Sequence, residues 1–206
     1  MTVKCKKLID ISLALSLVAV ILLSMTAFAE SCEDMYSNII RIRIIANSNS
    51  QIDQDLKIKV RDSILEHSKS VFSSAERYDD AMLIANISKD SLEECAKNTI
   101  LANGFDYDVD CTVRPEYFDT RVYDDFTLPA GEYQTVVFTI GEGKGENWWC
   151  VMYPQVCVGS CVGKLSDSIE KDSEEYAENA EKYVLKFKTV EIFQDLKKLI
   201  KKRLAF

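Results

Sequence analysis

Histidine is nearly absent: His67 stands alone in 206 residues. That argues against a zinc centre built on imidazoles and against a nucleophile–histidine pair, since a base must be held within hydrogen-bond reach of the group it deprotonates. Positive charge is short as well. Lys and Arg number 25 against 33 Asp and Glu, a formal charge of −8, which is a poor match for DNA or RNA. The chain has no internal repeat and no low-complexity tract. Its one long apolar run, Ile11 to Leu23, has 13 residues, short of the roughly 20 that span a bilayer. The glycine-rich stretch Gly141-Glu142-Gly143-Lys144-Gly145 lacks the Ser or Thr after Lys and the following helix of a phosphate loop.

What is present begins with an export pattern. Lys4, Lys6 and Lys7 precede the apolar run, and Ala27-Phe28-Ala29 supplies small residues at signal-peptidase spacing, so cleavage after Ala29 is favoured over a retained anchor. Loss of residues 1–29 takes the charge to −10 and leaves Cys32, Cys95, Cys111, Cys150, Cys157 and Cys161. An even number in an exported chain allows disulfides. Cys95 and Cys111 fall on apolar faces and read as small buried hydrophobes. Cys150, Cys157 and Cys161 lie close in sequence, and a bridge between two of them is expected, with Cys150 to Cys157 as the candidate pair.

Ile39 to Ala46 alternates branched residues with Arg41 and Arg43, a half-buried strand with both guanidinium groups on its outer side. Ser50 and Asp53 have capping-box spacing and start a helix through about Phe72, its stripe being Ile52, Leu56, Val60 and Ile64. A helix from about Ala75 to Ile87 should pack through Met82, Leu83 and Ile84. Another, with Leu92, Cys95, Ala96, Thr99 and Ile100 inward, closes at Asn103-Gly104. Phe105 to Arg114 alternates as a strand, with a further strand suggested in Pro115 to Asp125. Tyr133 to Ile140 and Trp148 to Tyr153 read as two strands of one long hairpin joined by the glycine-rich tip. Beyond Val158, an acidic stretch, a candidate strand Val184 to Val190 and a basic amphipathic helix Glu191 to Leu204 follow. The order predicts an α+β fold, a largely antiparallel sheet with helices packed on one face in a single domain. The division is a signal peptide over 1–29, an α+β domain over 30–158, and an acidic linker with C-terminal helix over 159–206.

Chemistry is sparse. Cys150 with His67 as base would make a thiol enzyme, but His67 sits among Glu66, Ser68 and Lys69 near a helix end and reads as solvated. Asp106, Asp108 and Asp110 line one strand face, a solvated row rather than a calcium site. Trp148 and Trp149 must point to opposite faces, one into the core and the other toward a helix, a partner or cell-wall sugar. The C-terminal helix offers peripheral contact with an anionic membrane, though docking on the sheet is favoured.

Three blocks carry a family resemblance: RIRIIANSNS with QDLKIKVRD, Arg41 to Asp62; FDTRVYDDFTLPAGEY, Phe118 to Tyr133; and IGEGKGENWWCVMYPQVC, Ile140 to Cys157. Together they resemble the stage II sporulation protein R family. The resemblance implies a non-enzymatic signalling protein without cofactor, made in the forespore and secreted into the space between forespore and mother cell. It implies as partner a membrane-embedded aspartic protease, contacted from its extracytoplasmic side, which then processes the sigma-E precursor. Carried over by position, the partner-binding residues are Arg41, Arg43, Asn47, Ser48, Asn49, Arg121, Tyr123, Glu142, Lys144, Asn147, Trp148 and Trp149. The competing expectations are a secreted thiol-dependent enzyme and a cell-wall-binding module.

Overall fold

The computed structural model describes residues 3–122, 127–154 and 187–192. Helix α1 (Val3–Asn38) leads into strand β1 (Ile40–Ile45), then helix α2 (Gln51–Val71), a 3-10 turn at Phe72–Ser74, and helices α3 (Tyr78–Ile87) and α4 (Lys89–Ala102). Strands β2 (Val109–Phe118), β3 (Arg121–Val122), β4 (Thr127–Leu128), β5 (Gly131–Ile140) and β6 (Asn147–Tyr153) follow. The main sheet has the order β2-β5-β1-β6, and β3 and β4 form a separate ribbon. β2–β5 and β1–β6 are antiparallel, whereas β1–β5 is parallel. The fold is thus α+β with a mostly antiparallel mixed sheet.

The sheet's first face holds the larger core. Ile40, Ile42 and Ile44 of β1 and Val136, Phe138 and Ile140 of β5 meet Leu56, Val60 and Ile64 of α2 and Leu92, Ala96 and Ile100 of α4. Period-two strands thereby face period-3.6 stripes, the arrangement that removes both apolar surfaces from water. Two stripe residues differ from expectation: Ile52 and Leu83 are exposed, and α3 is held by Ala81 and Ala85. The first two turns of α2 bury Asp53 and Lys57 beside Leu56, where Ile52 was expected to begin the apolar stripe. Ser50 caps this helix, accepting from the Asp53 N–H at 3.2 Å. Gly104, at φ 83°, ends α4 as Asn103-Gly104 foretold.

The other face carries a smaller core of Met35, Ile39, Phe118, Leu128, Tyr133 and Val151. Helices therefore reach both faces, because the end of α1 crosses here. Tyr36 donates its hydroxyl to the Ala130 carbonyl at 2.8 Å and meets Tyr133 edge to face with ring centroids 5.0 Å apart. Further up, α1 runs through Ala29 without interruption, and Phe28 is buried against Phe187 and Val190. Residues 187–192 are helical, so the strand expected over Val184 to Val190 gives way to helix in its described part. Ile11, Leu13, Leu15 and Leu17 are exposed. Among the described residues no helix is long and apolar enough to cross a membrane.

Two boundaries moved. β2 starts at Val109 rather than Phe105 and runs through Pro115 to Phe118. Pro115 is tolerated because β2 is an edge strand with no neighbour in the sheet on its outer side. The expected β5–β6 hairpin does not form: β1 lies between the two strands, paired to both. The glycine-rich stretch is accordingly a bridge over the end of β1, and its hydrogen bonds explain why.

Candidate functional site

The bridge is clasped by the turn after β1. Lys144 and Gly145 donate their N–H groups to the carbonyls of Asn47 at 3.1 Å and Ala46 at 2.9 Å. The side chains of Asn47 and Asn49 accept from the N–H groups of Glu142 at 2.9 Å and Glu146 at 2.6 Å. Asp53 anchors the turn from below, accepting from Asn47 Nδ2 at 2.9 Å and Ser48 Oγ at 2.6 Å. Burial raises the Asp53 pKa, but hydrogen bonds from Ser48, Asn47, Tyr107 and Ser50 outweigh it and hold the carboxyl below its ordinary 3.8. Lys57 closes the clasp, donating to the Glu146 carbonyl at 2.9 Å and Gln54 Oε1 at 2.6 Å; burial pushes its ammonium pKa down despite the Glu146 charge. Gly141 has φ 55°, and a Cβ on Gly145 would collide with the Ser48 carbonyl.

Asn47, Ser48 and Asn49, expected at a partner contact, are therefore engaged inside the molecule. The clasp is a brace, and what it holds out to solvent is Glu142 and Lys144, paired to each other at 2.9 Å.

Arg41 corrects a second expectation. It shares a sheet face with Arg43, as alternation requires, but that part of the face is covered. Its guanidinium is fully buried, 3.9 Å from the Phe118 ring centroid and 5.1 Å from that of Tyr133. A buried charge stacked on two rings is a structural post, not a contact offered outward.

Beyond that post the second face is half open. Two cross-strand rows remain, Asp110, Thr139, Ile45 and Asn147, then Thr112, Val137, Arg43 and Trp149, aligned by the strand registers. Every member except Val137 keeps some exposure. Arg43 Nη1 donates to Glu116 Oε2 at 2.8 Å, and Arg114 donates to Glu116 Oε1 through Nε at 3.1 Å and Nη2 at 2.8 Å. With its amide oxygen turned toward Arg43, Asn147 accepts from Nη2 at 2.5 Å and Nε at 2.8 Å. Burial raises the Glu116 pKa, and the hydrogen bonds and charges of Arg43 and Arg114 more than reverse this, leaving it below the ordinary 4.5. Arg121 of β3 lies over Trp149 at 4.0 Å. Trp148 faces the other way, packed on the first core with Arg61 at 5.3 Å from its ring.

Of the twelve residues carried over from the motifs, the structure thus gathers Arg43, Asn147, Trp149 and Arg121 on one face. Tyr123 lies outside the described residues, as does the C-terminal helix beyond residue 192. Glu116 and Arg114 were missed; Glu116 two residues after Arg114 on an alternating strand was the available signal.

The thiol-enzyme expectation loses its nucleophile, because Cys150 is disulfide-bonded. Its partner is none of Cys32, Cys95 and Cys111, which are free. His67 lies in a groove of about 540 Å³ between α2 and α4, its Nε2 2.9 Å from Ser91 Oγ. Burial lifts the thiol pKa values of Cys32 and Cys111 to about 12, where they are protonated and inert. The Asp106–Asp108 row meets Lys97, 3.7 and 3.0 Å away. Among the described residues no three His, Cys, Asp or Glu side chains gather as a metal site.

A sheet with one closed face, one half-open face and a braced loop between its strands defines an α+β domain with part of one sheet face left exposed. The family model of stage II sporulation protein R matches residues 36–162. The chain belongs to that family. It is similar to stage II sporulation protein R of Bacillus subtilis (strain 168), 32% identical over 118 residues, which are 57% of this chain and 53% of that protein. The match thus spans about half the length of that relative. No solved structure matches.

Proposed function

We propose that this protein is an exported sporulation signal that activates a membrane-embedded aspartic protease by direct contact, leading to processing of the sigma-E precursor in the mother cell. It acts after secretion, with residues 1–29 as the export signal, in the space between forespore and mother cell. The protein makes and breaks no bond itself.

The observation that supports this reading is the assembly of Arg43, Asn147, Trp149 and Arg121, from three separate strands, on one half-open face beside a braced loop. Aromatic and arginine side chains held in fixed positions are the types on which binding energy concentrates. A rigid surface activates a receptor by binding its active arrangement more tightly than its inactive one. Disulfide engagement of Cys150 favours this over a thiol enzyme. Occupation of the Trp149 ring by Arg121 favours it over sugar stacking.

The test is to express the secreted form with the protease and its precursor substrate in a host that does not sporulate. Precursor cleavage should require this protein. Cleavage at the same rate in its absence removes the reading.

A further inference from the structure

We propose that the half-open face around Trp149 is a docking surface for an acidic segment of the partner protein. The proposal rests on the signalling reading for the partner's identity alone; the chemistry of the surface stands on its own geometry.

Three guanidinium groups surround this patch, those of Arg43, Arg114 and Arg121, in a chain whose formal charge is −8. Among the described residues the carboxylate that pairs with them is Glu116, which is largely buried and takes hydrogen bonds from Arg43 and Arg114, while Asp110 lies at the far end of the face. A local excess of fixed positive charge on an acidic molecule steers and orients an oppositely charged partner. The three groups also differ in readiness. Arg43 is held by Glu116 and Asn147, and Arg114 by Glu116. Arg121 forms no ion pair among the described residues. Its Nε is buried without a hydrogen-bond partner, and its Cζ lies over the Trp149 ring, 4.0 Å from the centroid.

A guanidinium held against a ring in this way has little freedom left to lose on binding, and its two Nη groups form a fork that fits a carboxylate with two parallel bonds. Trp149, Ile45 and Thr139 supply half-buried flat surface beside it for the partner's backbone and aliphatic stems. Glutamate or aspartate next to small or apolar residues is therefore the sequence type that this face accepts. The charge pattern rejects a basic segment.

The probe is a short glutamate-rich peptide and its glutamine counterpart, titrated into the full chain and followed by tryptophan fluorescence and calorimetry. The glutamate peptide should bind and the glutamine peptide should not. Arg121→Gln should weaken binding about tenfold, as loss of one charge-assisted contact does. Glu116→Gln should tighten it by freeing Arg43, and Lys97→Gln, which lies with Asp106 and Asp108 instead, should leave it unchanged. Arg121→Lys keeps the charge but not the fork and should fall between, a result that a misfolded variant would not give. Equal binding of both peptides, no effect of Arg121→Gln, or stronger binding to anionic phospholipid vesicles than to the peptide overturns the proposal. In the cleavage assay, wild-type stimulation that survives Arg121→Glu rejects this surface while leaving the signalling reading intact. If the wild type fails to stimulate, the signalling reading falls, and the peptide titration alone decides the surface.

Discussion

Asp53 shows how much one carboxylate can organise. It takes the Asn47 amide and the Ser48 hydroxyl, and through them fixes the backbone that receives the Gly141–Glu146 bridge. Replacing it with Ala leaves those donors without their acceptor and should cost about 1–3 kcal/mol in chemical denaturation, with faster amide exchange at Glu142 and Glu146. Asp53 and Glu116 both have carboxyls below their ordinary values of 3.8 and 4.5. A depressed carboxyl contributes stability above its unfolded-state value and loses it as pH falls through the folded-state value. The melting temperature should therefore hold down to about pH 5 and fall steeply below pH 4.5, and the Asp53→Asn, Glu116→Gln double variant should flatten that fall. Both residues were in plain view in the sequence, but only capping of α2 was legible for Asp53. Its bonds to the turn bring together groups that only the folded chain sets face to face.

At the scale of elements, the end of α1 is a lever against the sheet. Gly131 lies against the Tyr36 ring, and a Cβ there would stand 2.5 Å from two ring carbons. Gly131→Ala should displace Tyr36 and break its hydrogen bond to Ala130, costing about 1–3 kcal/mol of overpacking, read by denaturation and by loss of ring-current shifts at Tyr133. Strand β6 has a different fastening, the disulfide at Cys150, which packs with Trp148 against the first core. Reduction should lower stability by about 2–4 kcal/mol and change tryptophan emission. Elements were read well where one face is buried and period decides, as in β1, α2, α4 and β5. The β5–β6 pairing was misjudged because neighbours in sequence usually pair, and nothing local in the glycine-rich stretch says that its N–H groups will bond to residues 46–49. Arg41 was misplaced for a related reason. Alternation assigns it a face but does not say that α1, Phe118 and Tyr133 roof that face over.

The molecule as a whole must keep its sheet from pairing with other sheets. The outer side of β2 is an open edge, and two devices guard it. The Cys111 N–H, which points outward, is taken by Glu93 Oε2 at 2.9 Å, and Pro115, four residues along the same outward set, has no N–H to offer. Replacing both, Glu93→Ala with Pro115→Thr, should leave the monomer folded but raise its tendency to associate, visible as concentration-dependent light scattering. The overall class was legible because the strands and helices keep long, clean periods; the half-open face around Trp149 was not, since it is made by register between strands far apart in the chain.

That register has a consequence in time. The strand emerging first, β1, becomes the middle of the sheet, and one partner, β5, follows roughly ninety residues later, with β6 later still, so loop closure must precede any pairing. A ribosome that has produced only β1 and the helices has made no strand for β1 to pair with. The sheet therefore closes only once nearly all of the domain has been made.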